Sequence, residues 1–222
     1  MRCAAFMIAT PDLRYERQLW RADFMRIAGL DEAGRGALAG PVAAAAVILP
    51  NDNPHLARTL RGVRDSKQLT PPARERLAPR IKEISLGWGV GFASAQEIDS
   101  LGIVAAARLA ALRALECVKI LPDFLLTDFR LELPELDIPQ TALVKGDRLS
   151  LSIAAASILA KTSRDELMRE MALQYPRYGF ARHKGYGTSF HREIIAQMGY
   201  SPIHRKSFVV KNMRLCVELR SP

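Results

Sequence analysis

Cysteine is scarce in this chain. Cys3, Cys117 and Cys216 are the only three in 222 residues, and no two form a Cys-x-x-Cys pair. An odd, scattered set supplies neither a disulfide framework nor a zinc site and favours a reducing compartment. Long apolar runs are also missing. The longest, Ala37 to Pro50, is too short and too alanine-rich to span a bilayer, so no membrane role is expected. The stretch from Met1 to Ala9 is near the minimum length of a signal-peptide core, and charged residues follow it without a convincing cleavage site. A cytoplasmic protein with an N-terminal extension over residues 1–25 is expected. Acids are outnumbered: 23 Asp plus Glu face 32 Lys plus Arg, a formal charge of +9. Such an excess suits an acidic partner, nucleic acid or anionic membrane, or serves solubility alone.

What remains is ordinary globular material, 49% hydrophobic and 25% charged, with length for one domain and an appendage. The charge is uneven. Residues 176–222 carry +7, leaving +2 for residues 1–175. Strands are expected around Arg26–Leu30, Val42–Leu49 and Gly87–Ala93, with Gly34, Gly36, Gly40 and Pro41 turning the chain between the first two. Ser94-x-x-Glu97 has capping-box spacing, and Val104, Ala107, Ala111, Leu115 and Val118 recur with a helical period. Two further strands lead to Asp128 and to Lys145-Gly146-Asp147. A second helix is expected from Ile153 to about Tyr175, stopped by Pro176. Strands on both sides of a helix suggest a mixed sheet covered by helices.

Three of these strands end in acids: Asp31-Glu32, Asp128 and Asp147. Side by side at one sheet edge, four carboxylates would repel one another, and hard divalent cations such as Mg²⁺ or Mn²⁺ would relieve that repulsion. Asp is also common wherever strands run into loops. Neighbours on a regular strand point to opposite faces, so Asp31 and Glu32 are expected to share a metal only if the strand has ended there. Gly34-Arg35-Gly36 follows at once; its glycines let the backbone approach a ligand and Arg35 can meet a phosphate. In Lys184-Gly185-Tyr186-Gly187-Thr188, Tyr186 either stacks on a sugar or base or packs on the core edge.

The series Asp31-Glu32-Ala33-Gly34-Arg35-Gly36, Asp65-Ser66-Lys67, Glu97-Ile98-Asp99, Lys145-Gly146-Asp147, Ala154-Ala155-Ala156-Ser157 and His183-Lys184-Gly185-Tyr186-Gly187-Thr188 closely resembles bacterial ribonuclease HII, the type 2 ribonuclease H, in the family's order. The resemblance covers about residues 26 to 210. It implies an α/β ribonuclease H-like fold, a five-stranded mixed sheet flanked by helices. The expected division is a 26–175 catalytic domain followed by a basic C-terminal helical extension over 176–222.

The resemblance also implies the roles. Asp31, Glu32, Asp128 and Asp147 would be catalytic and would bind Mg²⁺ or Mn²⁺, two ions in the active complex. Gly34, Arg35 and Gly36 would read the 2′-hydroxyl of a ribonucleotide through the backbone, and Tyr186 would stack on the following sugar. Lys184 and Lys67 join the expected substrate-binding set, although Lys67 read alone is equally a solvated loop lysine. The implied reaction is hydrolysis of the RNA strand of RNA–DNA hybrids, and 5′ of ribonucleotides embedded in duplex DNA. It would leave 5′-phosphate and 3′-hydroxyl ends, and a monomer is expected.

One departure bears on the site: Phe129 stands where the family usually has Gly, which is expected to alter the local turn. Asp165 either sits near the site or serves helix packing, with Arg164 as a candidate ion-pair partner. His183, His191 and His204 are expected to hydrogen-bond rather than bind metal. A non-catalytic hybrid-binding module and a metal-dependent DNA nuclease are the rival readings.

Overall fold

The computed structural model describes residues 10–129 and 131–208. Cys3, Cys216, the apolar start and the basic residues Lys211, Arg214 and Arg220 lie outside the described residues.

Five strands build one sheet: β1 (Ile27–Ala33), β2 (Val42–Ile48), β3 (Gly87–Ala93), β4 (Phe124–Asp128) and β5 (Gln140–Leu143), in the order β3-β2-β1-β4-β5. β1, β2 and β3 pair antiparallel, whereas β4 pairs parallel with β1 and β5 parallel with β4. The sheet is therefore mixed, as expected. Eight helices accompany it among the described residues: α1 (Arg14–Trp20), α2 (Leu56–Thr59), α3 (Pro71–Ile84), α4 (Ala95–Leu101), α5 (Ile103–Cys117), α6 (Leu151–Gln174), α7 (Phe180–His183) and α8 (Ser189–Met198).

Small residues decide how closely the layers approach. All seven residues of β2, mostly alanine, are buried, because α5 covers one face of the sheet and α6 the other. β3 alternates glycine toward α5. A Cβ on Gly89 would lie 2.0 Å from the Ala114 carbonyl oxygen, and one on Gly91 would lie 2.2 Å from that of Ala110. On the other face a Cβ on Gly29 would lie 2.3 Å from the backbone of Ser152. Tight packing of this kind gathers dispersion contacts that longer side chains would prevent.

The expected α5 stripe is rotated. Ala106, Ala107, Ala110, Ala111 and Ala114 form the buried face, and Val104 is exposed. Glycines on β3 make alanine, not the larger aliphatics, the residue that fits. The capping box at Ser94 and Glu97 is present, but α4 is a separate helix. Gly102, at φ 79°, ends α4 and starts α5, a conformation that a side chain would strain.

α1 and α3 have no counterpart among the expected elements. α1 is tied to the body through Glu16. Its buried carboxylate accepts hydrogen bonds from Ser150 Oγ at 2.6 Å, Ser152 Oγ at 2.7 Å and the Ser152 amide at 2.9 Å, at the N-terminal end of α6. An acid there satisfies free amides and suits the helix dipole. Beyond α6, residues 176–208 fold back onto the β1–β2 turn. Leu38 donates its amide to Gly185 O, and Gly40 donates to Ile203 O, both at 2.8 Å.

Candidate active site

β1 carries Asp31 and Glu32 past the end of its parallel neighbour. Its pairing with β4 stops at Leu30–Thr127, but its pairing with β2 runs on to Ala33–Ala43. The expectation that the strand must end at the acidic pair is thus corrected. β1 runs on through the acidic pair, and it is β4 that ends, opening the sheet edge beside them; the charge of Glu32 acts on Asp31 and both act on Lys67. Asp128 closes β4 and exerts its charge on both.

After β5 the chain turns at Lys145, in the left-handed region at φ 58°. Gly146 then donates its amide to Asp128 Oδ1 at 2.7 Å, and Asp147 follows in a single 3₁₀ turn. Asp147 therefore sits beyond its strand, in a turn held against Asp128. Phe129 does not require glycine's freedom: its φ is not positive, and its amide bonds Leu143 O at 3.0 Å.

The electrostatics reflect four acids in one place. Burial raises Asp31 well above the usual carboxylate range, and the charges of Glu32, Asp128 and Asp147 add to it, against a hydrogen bond from Ser157. Asp147 is pushed up to about 6, first by burial, then by Asp65 and Asp128. Burial also raises Glu32, with Arg35 opposing through an ion pair to Oε1 at 3.2 Å. Burial would lower Lys67, but the charges of Asp31, Asp65, Asp147 and Glu32 outweigh it and hold the ammonium protonated. Lys67 is exposed, so it is a solvated lysine that also lies beside the acids.

Asp65 was not among the expected site residues, although Asp65-Ser66-Lys67 was a recognised motif. Its buried carboxylate accepts the Lys67 amide at 2.9 Å and Arg148 Nη2 at 3.2 Å, and it is hydrogen-bonded with Asp147. Burial works against its charge, but these donors and Lys67 bring its pKa below the ordinary value. A charged Asp65 beside Asp147 helps to keep the proton on Asp147.

Among the described residues, no three His, Cys, Asp or Glu side chains already converge as a finished metal cage. The donors nevertheless suit a hard cation: all are carboxylate oxygens, they repel one another, and Glu32 Oε2 is buried without a hydrogen-bond partner. A divalent ion would satisfy that oxygen and remove the repulsion.

The glycine turn sits directly above. Gly34 has φ 92°, and a Cβ there would lie 2.0 Å from Arg164 Nε. Gly36 is exposed, with nothing within 4 Å of a Cβ, so its backbone faces open space. Arg164 is fully buried and is not the partner of Asp165. Its guanidinium donates to Pro41 O at 2.8 Å, Lys184 O at 3.0 Å and Ala39 O at 3.1 Å. Asp165 instead pairs with Lys161 at 2.6 Å and Arg74 at 3.2 Å. Arg205, also buried, donates to Gly40 O at 3.0 Å and Arg35 O at 2.8 Å. These two arginines clamp the turn by its carbonyls, a role invisible in the sequence because their partners lie more than a hundred residues away.

Tyr186 is half-buried, with the Lys161 ammonium 5.1 Å and the Arg164 guanidinium 5.3 Å from its ring centre. The Lys184 side chain turns back on Ala181 O, and its backbone carbonyl holds Arg164. Lys184 thus serves the clamp through its backbone carbonyl.

The three histidines hydrogen-bond, as expected. Ser201 donates its amide and hydroxyl to His204 Nδ1, at 2.8 and 2.7 Å, leaving the proton on Nε2. That proton goes to His191 Nε2 at 3.0 Å, and His191 Nδ1 donates to Tyr186 O at 3.0 Å. Burial lowers both histidines to about 4, which keeps this relay neutral.

The sequence model of the ribonuclease HII family matches residues 28–211. Ribonuclease HII of Desulfitobacterium hafniense (strain Y51) is 53% identical over 203 residues, 91% of this chain and 76% of that protein. Ribonuclease HII of Dehalococcoides mccartyi (strain 195) is 52% identical over 199 residues, 89% of this chain and 92% of that one. The crystal structure of ribonuclease H2 from Pyrococcus horikoshii OT3 is similar at TM-score 0.67 and 28% identity, covering 83% of this chain and 94% of that chain.

Proposed function

The chain belongs to the ribonuclease HII family, and we propose from that premise that it cuts 5′ of ribonucleotides embedded in duplex DNA, using cations held by Asp31, Glu32, Asp128 and Asp147. As a type 2 ribonuclease H it is a metal-dependent endonuclease for the RNA strand of RNA–DNA hybrids. The observation that supports the cation site is the Asp31 carboxyl, raised first by burial and then by the charges of Glu32, Asp128 and Asp147. A module that only binds nucleic acid gains nothing from four acids facing phosphates.

Bound Mg²⁺ or Mn²⁺ supplies activation of water and stabilisation of the leaving 3′-oxygen. The protein's own groups do the rest. Asp128 and Asp147 are held together through Gly146. Lys67 brings a fixed positive charge toward the phosphate side of the acids. Gly34, Arg35 and Gly36 offer backbone groups to the ribonucleotide 2′-hydroxyl, the feature that separates RNA from DNA. Tyr186 offers a ring face to the next sugar, and Lys184 shapes the turn that holds it. We propose that it acts as a monomer. No helix among the described residues is long and apolar enough to cross a membrane. We assign the protein to the cytoplasm, with residues 26–175 as the catalytic unit and 176–222 as the substrate-holding extension.

The test is a duplex bearing one ribonucleotide and its all-DNA twin, each incubated with Mg²⁺ or Mn²⁺. Cutting of the first alone, leaving 5′-phosphate and 3′-hydroxyl ends, is expected. Cutting of both would make the protein a DNA nuclease, and cutting of neither would make it a binder.

A further inference from the structure

Five arginines gather away from the basic C-terminal region: Arg58 on α2, Arg61 and Arg64 in the turn after it, and Arg76 and Arg80 one turn apart on α3. Arg61 and Arg80 line two adjoining hollows, of ≈ 500 and ≈ 430 Å³; Arg58 lines the first, and Arg64 and Arg76 the second. Among the described residues no ion pair engages any of the five. Nearby acids are occupied or turned elsewhere. Asp12 bonds Arg14 at 2.8 Å, Glu75 bonds Arg169 at 3.0 Å, and Glu83 lines neither hollow. Five guanidinium groups, four of them on exposed residues, gather positive charge that would attract an anion.

The patch is fixed to the active site. Arg74, on the same helix, donates to Ser66 O at 2.9 Å and Leu69 O at 2.6 Å, and pairs with Asp165 on α6. The segment it grips carries Asp65, bonded with Asp147, and Lys67, which lies among the acids. Arg64 directly precedes Asp65, and Arg80 lies about 9 Å further along the helix than Arg74 at 1.5 Å per residue. None of residues 176–208 lines either hollow.

We propose that Arg58, Arg61, Arg64, Arg76 and Arg80 form a second track for the nucleic-acid backbone, gripping phosphates of the duplex that flanks the cleavage point. This rests on the ribonuclease reading for the identity of the anion. A guanidinium fork suits phosphate oxygens, and a row of them without aromatic side chains suits a backbone rather than bases. The near-neutral total of residues 1–175 conceals the patch, because acids elsewhere in that stretch offset it in the sum.

The test compares the chain with its Arg61→Gln/Arg76→Gln/Arg80→Gln variant, both carrying Asp31→Asn so that the duplex is not cut. Affinity is measured against salt for duplexes of about 30 and about 8 base pairs centred on one ribonucleotide, where each lost phosphate contact removes about 0.9 from the log–log slope. On the long duplex the slope is expected to fall by about 2–3 with roughly tenfold weaker binding, and on the short duplex to hold. The corresponding triple Arg→Lys variant should retain most of the slope, which separates charge from folding. An unchanged slope on the long duplex would overturn the proposal. So would equal losses on both lengths, or a loss confined to binding of phosphatidylserine vesicles. Cleavage of the ribonucleotide duplex by the unmodified chain is scored separately, so a failure of the ribonuclease reading is not mistaken for a failure of the track.

Discussion

Gly146 donates its amide to Oδ1 of Asp128 at 2.7 Å, and that bond ties the end of β4 to the turn carrying Asp147. The two carboxyls come from segments about twenty residues apart, yet they form one charged site. The turn is closely packed: a Cβ at Gly146 would lie 2.7 Å from Ile153 Cδ1 and would have to displace that methyl group.

The crowding should be measurable without substrate. Asp147 titrates at about 6 in the fold against an ordinary 3.8. Between those values the folded chain keeps a proton that the unfolded chain has released, so stability falls as pH rises and the penalty is complete above about pH 6. In EDTA, Asp147→Asn is expected to gain thermal stability relative to the wild type as pH rises from 4 to 6.5. Mg²⁺ should stabilise the wild type more than the variant at pH 7. A constant difference between the two proteins across that range would contradict the shared-charge account.

The histidine relay predicts the opposite pH trend. His191 and His204 titrate at about 4 in the fold against an ordinary 6.5. The unfolded chain takes up protons in that interval that the folded chain refuses, so stability is lost as pH falls from 6.5 to 4. His191→Gln/His204→Gln should flatten this limb of the curve. Nitrogen-15 spectra of the wild type should place the ring protons on His204 Nε2 and His191 Nδ1; a proton on His204 Nδ1 would disprove the relay.

The two glycines of the turn should separate. Gly34→Ala forces a side chain into a positive-φ position and onto Arg164, costing about 1–3 kcal/mol from the backbone alone. A fall of several degrees in Tm is expected, together with lost cleavage. Gly36→Ala meets nothing, so its stability should change by less than about 0.5 kcal/mol. Cleavage should still weaken, because the methyl group stands where the ribose must approach. Full activity in Gly36→Ala would remove that backbone from substrate recognition.

Tyr186 should act through its ring. Tyr186→Phe keeps a stacking face and should retain most of the preference for the ribonucleotide junction. Tyr186→Ala should lose roughly tenfold to a hundredfold in kcat/KM, the size of one stacking contact. Equal losses in both variants would shift the role to the hydroxyl.

The sequence of elements along the chain, the capping box and the four acids were legible because their signals are local: apolar runs, a four-residue spacing and short motifs. The helices over Arg14–Trp20 and Pro71–Ile84 were not. Glu16 makes sense only beside Ser150 and Ser152, and Arg74 only beside Ser66 and Asp165. The α5 stripe was misplaced for a similar reason, since Ala110 and Ala114 are chosen by glycines on another strand. Arg164 and Arg205 support a turn more than a hundred residues earlier. The acid pair was seen, but its geometry depends on where β4 stops, which nothing near Asp31 reveals.

The most direct measurement is cleavage of a single-ribonucleotide duplex by Asp31→Asn at saturating Mn²⁺, with duplex affinity and Tm measured on the same protein. Cleavage should be abolished, with hybrid binding near the wild-type level and Tm in EDTA unchanged or higher, because one repelling carboxylate is gone. Wild-type cleavage by Asp31→Asn would contradict the assignment of the buried carboxylates as the metal-holding catalytic group.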